Sequence, residues 1–164
     1  MSNPVEQFAR AAHDFCAWCA APPGPESEEA KTVLRHLVEL YGLALGLEHP
    51  VDFDADLDGP RTTDEEWDAV FRRCAALPVS YYADVLDPLV VPGGEASIGD
   101  VCDDLADIHR DLTSGLALYR AGHRAEAVWE WRESFQTHWG AHATSALRAL
   151  HAWCAANDAW WTEP

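Results

Sequence analysis

Residues 101–122 read VCDDLADIHRDLTSGLALYRAG, and Val101, Leu105, Ile108, Leu112, Gly115 or Leu116, and Tyr119 recur there at spacings of three and four. That is the period of one buried face of an α-helix. Ser97, with Asp100 three residues on, is the expected start of this helix, and Gly122 its expected stop. The next stretch, residues 123–157, reads HRAEAVWEWRESFQTHWGAHATSALRALHAWCAAN, without proline and with Gly140 as its single internal glycine. It predicts one long helix, or two joined near Gly140. Two rods separated only by a short turn at residues 121–124 must return side by side, so the C-terminal half reads as a long antiparallel helix hairpin.

Upstream, Pro4 behind Ser2 and Asn3 is a good first-turn residue, and Val5, Phe8, Ala12, Phe15 and Cys19 predict a helix to about Ala20. The prolines of residues 21–25 cannot continue it. Ser27, Glu28 and Glu29 open a second helix, whose stripe of Val33 or Leu34, Leu37, Leu40 or Tyr41, Ala44 and Leu45 runs to about Leu47. Residues 48–61, EHPVDFDADLDGPR, carry no helical period and read as an acidic loop. Thr63 with Glu66 forms a capping box, and Trp67, Val70, Phe71, Cys74 and Leu77 form the face of a third helix closed by Pro78. Residues 79–96 fit either a short helix or an extended stretch and are read as irregular. The chain therefore predicts an all-α, single-domain bundle over residues 1–164 with about five main helices.

The 164 residues hold 11 Lys and Arg against 28 Asp and Glu, a net charge of −17 at pH 7. Such a field repels phosphate backbones and anionic lipid heads, so neither nucleic acid nor a membrane surface is an expected partner. A content of 48% hydrophobic residues, with eight Trp, is too apolar for disorder, while no apolar run reaches the roughly 20 residues of a bilayer span. With no signal-like start, the expected location is the cytoplasm. Five cysteines are an odd number in a chain large enough to fold without staples, which fits reduced thiols packed as small apolar groups. Cys16 and Cys19 form a CxxC pair, but the strand-to-helix junction of a redox motif and a second CxxC for zinc are both missing.

Chemistry is best sought on the C-terminal hairpin. On a uniform helical wheel, Val128, Phe135, Trp139, Ala146, Leu150 and Trp153 centre the buried stripe of the last helix. Arg132 and His142 fall inside that stripe, and His138 at its edge. A buried guanidinium must find carboxylates or carbonyls. Asp104 and Asp111 flank the stripe of the preceding helix one heptad apart, with Asp107 a little further round. Packed antiparallel, these carboxylates are expected to meet Arg132, His138 and His142 in a polar network that fixes helix register. The sharper alternative is a divalent metal ion, because His138 and His142 stand at i and i+4 on one helix face. A third ligand is then needed, with Asp104, Asp111, His109 and His36 as candidates. The glutamate of an HExxH protease and the ExxH of di-iron bundles are absent. No nucleophile elbow, phosphate loop or dinucleotide fingerprint is present, so an enzyme is not the expected reading and no other cofactor is implied. Trp160 and Trp161, beside a polar terminus, are the expected exposed pair and a candidate surface for a protein partner or for self-association.

Two resemblances bear on this. The HxxxH pair resembles the His-rich last helix of DinB-like metal bundles, which implies a third histidine from an earlier helix, here His36 or His49. The strings of residues 103–122 and 127–151 resemble a bacterial family called domain of unknown function 5063. The resemblance rests on Asp104, Asp107, Asp111, Trp129, Trp131, Phe135, Trp139, Gly140, His142 and Leu147. It implies a small helical cytoplasmic protein and brings no activity with it. The expected role is accordingly a non-catalytic interaction module, with a divalent-metal-binding bundle as the alternative.

Overall fold

A computed structural model of the protein describes residues 3–160. Helix α1 spans Pro4–Ala20, and its Asn3 cap accepts the Val5 N–H. Helix α2 spans Glu26–Ala44 and lacks a side-chain cap at Pro25. Helix α3 spans Asp64–Cys74 behind the reciprocal Thr63–Glu66 capping box read from the sequence. Helix α4, Val101–Arg120, is the central rod, packed against α1, α3, α5 and α6. Gly122 ends it with a φ of 94°, in the left-handed region that favours glycine. Helix α5 (Arg124–Ser134), a π-helical turn (Phe135–Trp139) and α6 (Gly140–Ala156) then follow without a break.

The protein is mostly helical but not all-α. Residues 81–85 (β1, Tyr81–Val85) and 96–100 (β2, Ala96–Asp100) form an antiparallel hairpin inside the segment read as irregular. Ser97 accordingly sits in a strand, and the cap of α4 is Asp100, whose carboxylate accepts the Cys102 N–H. The serine mimics a cap because strand and helix abut without a loop. Cross-strand pairing of Tyr82 with Gly99 explains the glycine: a Cβ there would come within 2.1 Å of the Tyr82 ring.

The core runs between the helices as one cluster that includes Phe8, Phe15, Leu37, Leu40, Leu105, Ile108, Leu112 and Leu150, with Trp131 and Trp139 fully buried. Trp131 reaches this depth because Gly115 has no side chain: a Cβ there would lie 2.2 Å from the indole nitrogen. That nitrogen donates to the Leu112 carbonyl at 3.2 Å, and the Trp139 indole donates to the Trp131 carbonyl at 3.3 Å. Truncating either indole would cost about 3–5 kcal/mol. All five cysteines are free, and burial pushes the Cys16 thiol up to about 11, against the Thr113 hydrogen bond and the charge of Arg120. No helix among the described residues is long and apolar enough to cross a membrane.

The π turn changes the reading of the last rod. Its turn holds one residue more than an α-turn, and a residue advances a helix by about 100°. The buried faces of α5 (Ala127, Val128, Trp131) and of α6 (Ala143, Ala146, Leu150, Cys154) are therefore out of phase on a uniform wheel. Gly140 makes room for this turn, since a Cβ would meet the Phe135 carbonyl oxygen at 2.4 Å.

Candidate functional site

Helix α4 and the π turn face each other across a cluster of carboxylates and imidazoles. Asp104, Asp107 and Asp111 lie three and four residues apart on α4, so they share one flank. His138 stands in the π turn and His142 in the first turn of α6, with their rings 4.6 Å apart. His142 Nδ1 lies 2.7 Å from Asp104 Oδ1, and His138 Nδ1 lies 2.7 Å from Asp111 Oδ2. Each imidazole thus has one nitrogen tied to its own carboxylate. Both remaining nitrogens turn toward one oxygen: Asp107 Oδ2 is 3.5 Å from His138 Nε2 and 3.6 Å from His142 Nε2. Those distances are too long for good hydrogen bonds. The other Asp107 oxygen is held by the Trp67 indole at 2.7 Å and by Arg110 at 2.9 Å.

A further layer steadies these groups. Tyr82 of the hairpin donates from its hydroxyl to Asp104 Oδ2 at 2.6 Å, and its place over Gly99 aims it there. The hairpin is fastened to α6 by Ser145 and Arg148, both of which donate to Asp84, while Arg148 also donates to the Ala83 carbonyl. The hydrogen bond that His142 makes to the Asp104 carboxylate, with the charges of Asp104, Asp107 and Asp103 adding to it, holds the His142 pKa above its ordinary value despite burial. Burial pushes the Asp111 carboxyl up, opposed by the His138 hydrogen bond. Burial, and then the neighbouring Asp107, do the same to Asp103. Carboxylates outnumber the cations around them, and the cluster has a deficit of positive charge. His142 also borders a cleft of about 590 Å³ between the hairpin, the start of α4 and α6, lined by Tyr82, Asp103, Ser145 and Arg148 among others. The cluster is therefore reachable by solute.

Of the residues singled out in the sequence, Asp104, Asp107, Asp111, His138 and His142 come together. Arg132 does not join them. Its guanidinium donates to the Leu47 carbonyl just beyond α2, because the π turn rotates α5 away from the face that a uniform wheel assigns it. His36 packs its ring against Phe15 and Trp18 between α1 and α2, so the third ligand-type residue beside the two histidines is Asp107 instead. Trp160 is half-buried against the core, its ring 4.8 Å from His151, rather than freely exposed, and Trp161 lies outside the described residues. Trp67, Tyr82 and Arg110 were not foreseen in the sequence. In the sequence Trp67 reads only as part of the face of the third helix, and Tyr82 only as half of a Tyr-Tyr pair in a segment of open form.

A family model described as a domain of unknown function (DUF5063) matches residues 1–156. No curated protein matches the chain. Among solved structures, the crystal structure of protein BF1032 from Bacteroides fragilis is similar, at 23% identity and a TM-score of 0.73, covering 93% of this chain and 95% of that one. At that identity the likeness speaks for the fold alone.

Proposed function

Because the chain belongs to the family described as a domain of unknown function (DUF5063), which brings no activity with it, we propose from its own geometry that it is a divalent-metal-binding helical protein. His138 and His142 would bind through Nε2, and Asp107 through Oδ2. The observation that carries this reading is the convergence of these three ligand-type groups, whose donor atoms lie within 4.8 Å of one another. The Nδ1 of each histidine is already engaged by a separate carboxylate. That is the usual outer shell of a metal-bound imidazole: the carboxylate fixes the tautomer and leaves the opposite nitrogen free to donate its lone pair. Two imidazoles and one carboxylate suit zinc, iron(II) or nickel better than magnesium or calcium. Three protein ligands leave coordination positions for water or substrate, as in catalytic rather than purely structural sites. An ion there would supply Lewis acidity or an activated water at the cleft.

The test is thermal unfolding of protein purified without a histidine tag, after chelation, with zinc, nickel or manganese added. Metal at about a hundred times its dissociation constant should stabilise the protein by about 2.7 kcal/mol. Asp107→Asn, His138→Ala and His142→Ala should each remove most of that gain. A metal response that is absent, or unchanged in all three variants, defeats the proposal.

A further inference from the structure

The hairpin has a second face. In an antiparallel sheet with one face on the core, the solvent face is ordinarily polar. Here Tyr82 and Asp84 point inward, and Tyr81, Ala83 and Val85 stand outward, with Ala83 opposite Ile98, Val85 opposite Ala96 and Tyr81 opposite Asp100. Ile98 is 80% exposed and Tyr81 72%. The connecting loop adds Leu86, Val90, Leu89 at 89% and Val91 at 83%. Of the ten large apolar side chains exposed among the described residues, seven lie between Tyr81 and Ile98. Single exposed apolar residues need no explanation, but a concentration of this kind marks a binding surface.

The backbone of the hairpin points the same way. Val101 donates to the Ser80 carbonyl and Leu86 to that of Glu95. Hydrogen-bonded pairs recur every second residue, so Ala96, Ile98 and Asp100 turn their backbone groups away from β1. On the other side of the hairpin, Arg148 of α6 covers the Ala83 carbonyl of β1. Among the described residues no such bond covers the β2 edge, and neither Lys, Pro nor a bulge within the strand blunts it. An apolar face beside a free edge is suited to strand addition.

Charge selects the occupant. Between Arg73 and Arg110 the sequence contains no Lys or Arg; Asp87, Glu95 and Asp100 border the patch, while Asp84 on the inner face is paired with Arg148. A second copy of this chain would bring another net charge of −17. We propose that the outer face and free β2 edge of the hairpin bind an extended segment of a partner protein in which apolar side chains alternate with Lys or Arg.

The experiment titrates the full chain into a fluorescently labelled synthetic peptide alternating Lys with Val and Ile, and separately into its Glu-substituted counterpart. Anisotropy should show the Lys peptide binding at least tenfold more tightly, with affinity falling as salt rises from 50 to 300 mM. The exposed substitution Ile98→Lys should weaken that binding at least tenfold while leaving the thermal midpoint unchanged. A Lys peptide with alternate backbone nitrogens methylated should also bind poorly, because it cannot pair with the edge. Failure of the Lys peptide to bind, equal binding of both peptides, or indifference to Ile98→Lys overturns the proposal. So does a dimer in sedimentation equilibrium that Ile98→Lys dissociates, which would assign the face to a second copy.

Discussion

Glu29 and Asp107 are both helical carboxylates touched by one tryptophan indole and one arginine, yet they are finished differently. Glu29 Oε1 accepts the Gly24 N–H at 2.8 Å, and Oε2 accepts the Trp18 indole at 2.9 Å with Arg73 at 2.6 Å. Arg73 also lies over the Trp18 ring and donates to the Ala21 carbonyl. Both oxygens are taken, and one guanidinium balances one carboxylate. Asp107 has one oxygen taken by Trp67 and Arg110, while the other faces two imidazole nitrogens at distances too long for a good hydrogen bond. A saturated carboxylate ties α1, α2 and α3 together. A half-saturated one, facing two imidazole nitrogens, is the carboxylate proposed above as a metal ligand.

The largest effect should come from the saturated cluster. Glu29→Ala leaves the Arg73 charge buried without its partner, and such a loss costs about 3–5 kcal/mol. Urea unfolding should register it, with zinc affinity unaltered. A loss below about 1 kcal/mol would erase the contrast. Next in size is a change behind the proposed metal ligands. Asp104→Asn or Asp111→Asn removes the carboxylate that orients an imidazole, and outer-shell changes of this kind lower metal affinity about 10–100-fold. Calorimetric zinc titration measures it, and affinity within a factor of about two of the parent protein would show that these aspartates do not orient ligands.

The smallest effect is the most discriminating, because the two clusters respond to pH with opposite sign. Burial raises the Glu29 pKa, but the Gly24 N–H, Arg73 and Trp18 together bring it below its ordinary value. Its contribution is therefore complete above the unfolded carboxylate pKa and lost as pH falls through the lower folded value. The Asp104 hydrogen bond raises the His142 pKa, so that contribution is complete below the ordinary histidine value of about 6.5 and lost as pH rises through the folded one. In metal-free protein, Glu29→Gln should flatten the acid limb of stability against pH, and His142→Gln should flatten the limb above neutrality. Flattening of the same limb by both variants would contradict the distinction.

The helices were legible because their signals are local. Spacings of three and four, the Thr63–Glu66 box and Gly122 each depend on a few consecutive residues. The hairpin was not legible, since two five-residue strands leave too little alternation to read, and Ser97 with Asp100 imitates a helix cap. The site was half legible. Asp104, Asp111, His138 and His142 were expected to meet, but Asp107 was placed at the margin when its free oxygen lies between the imidazoles. Arg132 was misplaced because a constant angle per residue cannot cross a π turn, and Gly140, noted only as a possible joint, was the residue that accommodates it. Arg110 stands three residues after Asp107 on α4, a spacing that allows their ion pair, but Tyr82 and Trp67 come from other elements and nothing in their spacing announces a shared neighbour.

The most direct measurement is anomalous diffraction at the zinc edge from crystals grown or soaked with zinc. A single strong peak about 2.0–2.2 Å from Nε2 of His138, Nε2 of His142 and a carboxylate oxygen of Asp107 is the expected result. A zinc-saturated crystal with no peak there, and with both imidazoles still bound only to Asp104 and Asp111, would contradict the account.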